Sequence, residues 1–246
     1  MGSKLHLSSG TPLLIGHRGA PLMALENTIA SFRAALDAGI DGLELDLHRT
    51  ADGVLAVYHD PSIDGDFLSE HSWSDLSAKA PQTPRFEEVL ELLDEYPSAR
   101  LNIELKHAVP SNDDRESLLA EVLGAWSGSA KERAWISSFD PYSLLRLRRE
   151  GADLPLALLV SEEEALELLP CLSLAGVHPH YSLLSPERIS RWHEQGLFVF
   201  AWTVNDLALG ARLLDWGADG LIGDDPELLL RARDRDDSSG RRRVDQ

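Results

Sequence analysis

One cysteine, Cys171, stands in a chain of 246 residues, so no intrachain disulfide can form and a reducing, cytoplasmic setting is expected. Long apolar runs are missing too. No window approaches the roughly 20 apolar residues of a membrane-crossing helix, and Met1–Gly10 carries no apolar segment of the signal-peptide kind. Basic residues are in deficit: 23 Lys and Arg face 41 Asp and Glu, a formal charge of −18. Such a body repels polyanions at long range, which argues against nucleic acid and against an anionic membrane surface as partners. An anionic small molecule would need local positive charge, from a few placed Arg or Lys side chains or from a bound metal.

What is present is a rhythm. Short β-rich runs occur at Leu13–Gly16, Leu43–Arg49, Arg100–Lys106, Ala134–Ser138, Leu156–Val160, Gly176–His178, Leu197–Thr203 and Asp219–Ile222. Helical periodicity follows each, over Asn27–Ala38, Phe86–Glu95, Asp113–Trp126, Pro141–Glu150, Glu162–Leu169, Pro186–Gln195, Asp206–Trp216 and Pro226–Arg233. Alternating β and α elements imply a parallel sheet. Eight pairs in a chain of this length favour closure into an α/β barrel of the (β/α)8 TIM type, a single domain over residues 11–233, with a doubly wound open sheet as the runner-up. Asp60–Pro84 reads as irregular, and the charged stretch 234–246 as a disordered tail.

Barrel enzymes place their chemistry at the C-terminal ends of the strands. The first strand ends in Gly16-His17-Arg18-Gly19, where two glycines let the backbone turn tightly around a His-Arg pair. In the second, Leu43-Glu44-Leu45-Asp46-Leu47, the period of two puts both carboxylates on one face and the leucines on the other. A barrel strand is covered on both sides, so the leucines belong under the helices and the carboxylates in the barrel mouth. Two carboxylates about 4 Å apart repel by about 4 kcal/mol at an effective dielectric near 20. Either one is protonated or a cation sits between them, and oxygen donors favour a hard cation such as Mg2+ or Ca2+. The third strand, Asn102-Ile103-Glu104-Leu105-Lys106, repeats the pattern. Glu104 is a natural third ligand, and Lys106 either pairs with it or meets an anionic ligand.

Asp52-Gly53 signals a turn that folds Val54–Tyr58 back and delivers His59-Asp60 near the mouth. Two histidines flanking a metal-bound phosphate would supply the acid and the base that P–O cleavage needs. Trp202, at the end of the seventh strand, offers a flat wall for a carbon skeleton, and Phe139 a weaker second one. His178 and His180 flank Pro179 at the sixth strand end, where at least one is expected to be structural. His6, His48, His71, His107 and His193 show no partner pattern, and Trp73, Trp126, Trp135, Trp192 and Trp216 read as packing residues.

Taken together, Gly16-His17-Arg18-Gly19-Ala20, Glu26-Asn27-Thr28, Glu44-Leu45-Asp46, Thr50-Ala51-Asp52-Gly53, His59-Asp60, Ile103-Glu104-Leu105-Lys106, Ser138-Phe139 and Trp202-Thr203-Val204-Asn205 resemble the glycerophosphodiester phosphodiesterase family. The resemblance runs from the first strand to the last. It implies a (β/α)8 barrel and a divalent metal, Mg2+ or Ca2+, on Glu44, Asp46 and Glu104. It implies His17 and His59 as the acid–base pair, Arg18 and Lys106 as phosphate ligands, Trp202 as a glycerol contact and Glu26 as a buttress. The sequence departs from the family pattern after His59-Asp60, where Pro61-Ser62-Ile63-Asp64-Gly65 replaces a more usual Arg-Thr-Thr-Gly stretch. It departs again at the last strand end, Gly223-Asp224-Asp225-Pro226, where Thr-Asp is more usual. The activity implied is metal-dependent hydrolysis of a small-molecule glycerophosphodiester to glycerol 3-phosphate and an alcohol. Alternatives are lysophospholipase D action, for which no apolar lid is evident, a catalytically inactive sugar-phosphate-binding barrel, and an unrelated phosphate-binding barrel, for which a Gly-rich phosphate loop is lacking.

Overall fold

The structure, a computed structural model, describes residues 10–107, 114–126 and 130–238. The strands are β1 Leu13–Gly16, β2 Gly42–Arg49, β3 Leu55–Val57, β4 Ser62–Ile63, β5 Asp66–Phe67, β6 Arg100–Leu105, β7 Ala134–Ser138, β8 Leu156–Val160, β9 Gly176–Pro179, β10 Phe198–Ala201 and β11 Gly220–Gly223. The helices are α1 Ile29–Asp37, α2 Trp73–Lys79, α3 Phe86–Asp94, α4 Arg115–Ala125, α5 Pro141–Arg149, α6 Pro186–Glu194, α7 Leu207–Asp215 and α8 Pro226–Ser238. Parallel pairing runs in the order β2-β6-β7-β8-β9-β10-β11-β1, and β1 then pairs with β2, which closes the circle. The open-sheet alternative is thereby excluded, and the fold is the expected (β/α)8 barrel.

The period of two sorts each strand. Leu43, Leu45 and Leu47 of β2 and Leu101, Ile103 and Leu105 of β6 lie in the main core beneath the helices. The opposite faces line the interior. Its lower part is filled by Leu13, Ile15, Trp135, Ala157, Phe198, Phe200 and Ile222. His178 stacks on Phe200 at 5.4 Å, and the Trp135 ring meets Phe200 edge-on at 5.3 Å. Gly176 makes room for this aromatic layer, since a Cβ there would run into the Phe198 ring. Among the described residues the barrel is therefore a packed plug below, and it opens at its upper end.

Beyond β2 the chain turns at Thr50–Gly53, with Gly53 at φ +79°, and returns antiparallel as β3. The segment expected to be irregular is structured. β4 and β5 form a small hairpin around Asp64-Gly65, both at positive φ as a tight hairpin turn requires. Helix α2 follows, capped reciprocally by Ser72 and Asp75. Ala56, Leu68 and Leu76 make a separate small core for this excursion, with Tyr58, Ile63, Trp73 and Ala80 packed against it.

Three other boundaries differ from the sequence pattern. Glu163–Cys171 is a 3-10 helix rather than an α-helix. Pro170 lacks an N–H and disfavours the α conformation at Leu169, and only Leu169 in this stretch is buried. α1 begins at Ile29 with Thr28 as its cap, so Asn27 lies in the loop before it. α8 continues past Arg233 to Ser238, so the start of the expected tail is helical, while 239–246 lie outside the described residues. Asp113 and His6 also lie outside them.

Candidate active site

The open end of the barrel gathers the inward-facing residues of β2 and β6 with the loops that follow β1, β3, β7, β10 and β11. A cavity of about 240 Å3 there is lined by His17, Arg18, Glu44, His59, Asn102, Glu104, Lys106, Phe139, Leu159, Trp202 and Ile222.

The carboxylates are where the strand period puts them. Asp46 pairs across β2 and β6 with Glu104. One oxygen from each of Glu44, Asp46 and Glu104 lies within 4.8 Å of the others, and all three residues are buried. Glu44 Oε1 is buried without a hydrogen-bond partner. Three converging carboxylates, one with an orphaned buried oxygen, are a fit donor set for a hard divalent cation.

The repulsion among them is resolved in two ways at once. Burial, reinforced by the charge of Asp46, pushes Glu44 up to about 8, which favours its protonated form at neutral pH. Asp46 is held below its ordinary value: burial works upward, but Lys106, Arg18 and the Asn27 hydrogen bond outweigh it. Lys106 Nζ lies 2.9 Å from Glu104 Oε1 and 3.2 Å from Asp46 Oδ1, and Arg18 Nε lies 3.2 Å from Asp46 Oδ2. Both cations expected at the phosphate thus stand against the carboxylate cluster.

The loop after β1 is built to hold this geometry. Gly16 and Gly19 pack so closely that a Cβ on Gly16 would strike the Gly19 carbonyl. Arg18 sits at φ +55°, an uncommon conformation for a residue with a bulky side chain. The loop is fastened by Ser31, whose Oγ donates to the Arg18 carbonyl at 2.9 Å and accepts from Ala20 N at 2.8 Å. Arg18 N donates to Glu44 Oε2 at 2.9 Å, and Arg18 Nη1 to Glu26 Oε1 at 2.9 Å, which makes Glu26 a support for the guanidinium. Asn27, at φ +54°, donates from Nδ2 to Asp46 Oδ2 at 2.7 Å and accepts the Asp46 N–H at 3.3 Å. Asn and Asp tolerate this left-handed region best.

Both candidate acid–base histidines are backed by a carboxylate. His17 Nδ1 lies 2.7 Å from Asp224 Oδ1, and His59 Nδ1 lies 2.7 Å from Asp60 Oδ1. An ionised carboxylate can only accept, so each ring carries its proton on Nδ1 and keeps Nε2 for other work. Asp224 is itself gripped by Asn205, which donates from Nδ2 at 2.5 Å and accepts the Asp224 N–H at 2.9 Å. Burial pulls His17 down, but the contributions that raise it, led by the Asp224 bond, leave His17 above its ordinary value. Asp224 is correspondingly low, its burial offset first by the His17 bond.

On the far side of the cavity, Phe139 and Trp202 meet edge to face at 5.4 Å, and Trp202 Nε1 donates to the His178 carbonyl at 2.7 Å. His178 is structural. It is fully buried, accepts from Trp135 Nε1 at 3.2 Å, and burial lowers it to about 3, so it is neutral. His180 packs against Trp202 at 5.3 Å.

Asp224 and Asn205 had no sequence signal as partners of His17, since 207 positions separate His17 from Asp224. Asn102 and His48 had one: they share the inward period of Glu104 and of Asp46. Both amide atoms of Asn102 are buried and unpartnered beneath the cluster. His48 Nε2 donates to the His59 carbonyl at 3.1 Å and steadies that loop.

Imidazoles set beside anion-pairing cations are what phosphate-ester cleavage uses, so the fold and this constellation define a barrel phosphodiester hydrolase. The chain belongs to the glycerophosphoryl diester phosphodiesterase family, which it matches over residues 17–228. It is 32% identical over 236 residues to a glycerophosphodiester phosphodiesterase of Caldanaerobacter subterraneus subsp. tengcongensis, covering 89% of this chain and 96% of that protein. Among solved structures it is similar to an Oleispira antarctica phosphodiesterase in complex with the product sn-glycerol-3-phosphate, with TM-score 0.81, 27% identity and coverage of 93% and 99%. It is also similar to a glycerophosphodiester phosphodiesterase of Parabacteroides distasonis, with TM-score 0.76, 26% identity and coverage of 93% and 99%. Among the described residues no helix is long and apolar enough to cross a membrane.

Proposed function

We propose that the chain hydrolyses small glycerophosphodiesters to glycerol 3-phosphate and an alcohol, with His17 and His59 exchanging protons beside a divalent cation held by Glu44, Asp46 and Glu104. The observation that carries this is the pair of imidazoles, each tied through Nδ1 to a carboxylate, lining one cavity with Glu44 and Glu104, whose carboxylates cluster with that of Asp46. When bound, Mg2+ or Ca2+ offsets negative charge on the phosphoryl oxygens. Arg18 and Lys106, already at the cluster, hold the phosphate and spread the remaining charge. One imidazole takes the proton of the attacking hydroxyl as its oxygen bonds to phosphorus. The other gives a proton to the departing alkoxide as the second P–O bond breaks. Attack by water gives glycerol 3-phosphate directly, whereas attack by the substrate's own glycerol hydroxyl gives a cyclic phosphodiester that water then opens. Trp202 and Phe139 form the wall for the three-carbon arm.

The test is release of glycerol 3-phosphate from glycerophosphocholine, glycerophosphoethanolamine and glycerophosphoglycerol, with and without EDTA. No release from any of them in the presence of Mg2+ or Ca2+ would refute the reading. A second reading, lysophospholipase D action, draws on Leu22, Met23 and Leu25, which stand 73%, 62% and 59% exposed on the loop after β1. Faster turnover of long-chain lysophospholipids than of glycerophosphocholine would favour it.

A further inference from the structure

His59 lines two cavities. One is the site above. The other, of about 340 Å3, opens outward between the loop after β1 and the end of α2, and includes Leu25, Glu26, Tyr58, Asp60, Pro81 and Thr83. Trp202 and Phe139 belong to the first cavity and not to the second. His59, which lines both cavities, therefore stands between the site that holds the aromatic wall and carboxylates and this outer cleft. A phosphodiester has two arms. If the three-carbon arm lies against Trp202 with phosphorus at the cluster, in-line geometry sends the other arm past His59 and into the cleft.

We propose that this cleft is the subsite of the leaving alcohol and that it selects a cationic amino-alcohol, of the ethanolamine or choline type, over a neutral one. This rests on the diester hydrolysis proposed above. The lining supplies what such a group needs. Tyr58 gives an aromatic surface, the partner that an ammonium group prefers. Leu25, Ala80 and Pro81 give apolar surface for its methyl or methylene groups. Glu26 and Asp60 give negative charge. Each has one oxygen engaged, on Arg18 and on His59, and a second oxygen free of either bond. Lys79 also lines the cleft, with its ammonium turned to Asp64 Oδ2 at 2.7 Å. Burial, then the charges of Asp60, Asp64 and Glu26, hold the Tyr58 hydroxyl above the usual phenol range.

The placement also divides the proton work. His59, at the doorway, protonates the headgroup alkoxide from Nε2 as its bond to phosphorus breaks. His17, which lines the inner cavity and not the cleft and is backed by Asp224, takes the proton of the attacking hydroxyl. The headgroup leaves as a neutral hydroxyl carrying its ammonium charge into the acidic cleft.

The experiment compares kcat/KM for glycerophosphocholine with that for its uncharged carbon isostere, the diester of 3,3-dimethylbutanol, at low ionic strength. Three proteins are used: the wild type, Tyr58→Leu and Gln82→Lys, the last adding a positive charge at an exposed position on the cleft wall. Wild type is expected to prefer the choline diester by about tenfold, the scale of one cation–π contact with nearby carboxylates. Each substitution is expected to lower that ratio at least about threefold, through loss of the ring or through repulsion. A wild-type ratio near one, or a ratio that neither substitution moves, overturns the subsite. Hydrolysis of neither diester overturns instead the reaction on which it rests.

Discussion

Replacing Asp224 by Asn isolates the support of His17. The substitution keeps the outline of the side chain that Asn205 grips and removes its charge. His17 is 19% exposed and Asp224 26%, so solvent screens their 2.7 Å contact only in part. A charge-assisted hydrogen bond in such a setting contributes about 1.5–3 kcal/mol. That corresponds to about one to two units in the His17 pKa at 1.36 kcal/mol per unit. The sign follows from the opposing causes. Burial lowers His17 and Asp224 is the first of the groups that raise it, so without that charge burial dominates and the pKa falls below 6.5. The limb of the kcat/KM profile set by His17 therefore moves to lower pH by about one unit or more. At neutral pH kcat/KM falls about 10–100-fold, because the imidazolium formed in the transition state has lost its counter-charge. An Asn that turns its NH2 toward Nδ1 would also fix the proton on Nε2 and enlarge the loss. The assay is glycerol 3-phosphate release from glycerophosphoethanolamine between pH 5 and 10, with the thermal midpoint as a folding control. A variant that keeps both its rate within twofold and its limb would show that Asp224 does not support the base.

His59→Ala is expected to lower kcat by about 10²–10⁴-fold while leaving Ca2+ affinity, read by calorimetry, little changed. Glu104→Gln is expected to weaken Ca2+ or Mg2+ binding, and EDTA to abolish turnover in the wild type; full activity after exhaustive chelation would refute the metal assignment. Arg18→Lys is expected to reduce kcat/KM about tenfold, because one ammonium cannot reproduce contacts to Glu26, Asp46 and a phosphate together; wild-type kinetics would show that the guanidinium fork is unused. Trp135→Ala, in the aromatic layer below the site, is expected to cost about 3–5 kcal/mol in denaturant unfolding by leaving a cavity the barrel cannot collapse around.

The carboxylate cluster was legible because chemistry and geometry coincide in it. Leu43 to Leu47 alternate so strictly that one face had to be acidic, and a barrel gives that face nowhere to go but the mouth. The eight-fold rhythm was legible for the same reason, since each buried strand is short and each helix keeps its period. What escaped was set by contacts between distant positions. Asp224 looked like a departure from a family pattern and became a partner only when β11 closed against β1. Asn27 carried helical periodicity, but its amide is drawn to Asp46 and the helix starts after it. The excursion between β3 and α3 looked irregular because its pieces are too short for a periodic signal, although Asp64-Gly65 and the Ser72–Asp75 cap were readable in hindsight.

That excursion has its own core of Ala56, Leu68 and Leu76, set apart from the barrel's. Its sequence can lengthen, shorten or drift while the strands that carry Glu44, Asp46 and Glu104 keep their packing. Tyr58 and Ala80, which pack against this small core, also face the outer cleft. On the proposed reading the molecule has two inheritances with different tolerances, a rigid one for phosphorus and a pliable one for whatever is attached to it. On that reading one alcohol is traded for another through changes in a segment whose small core is separate from that of the barrel.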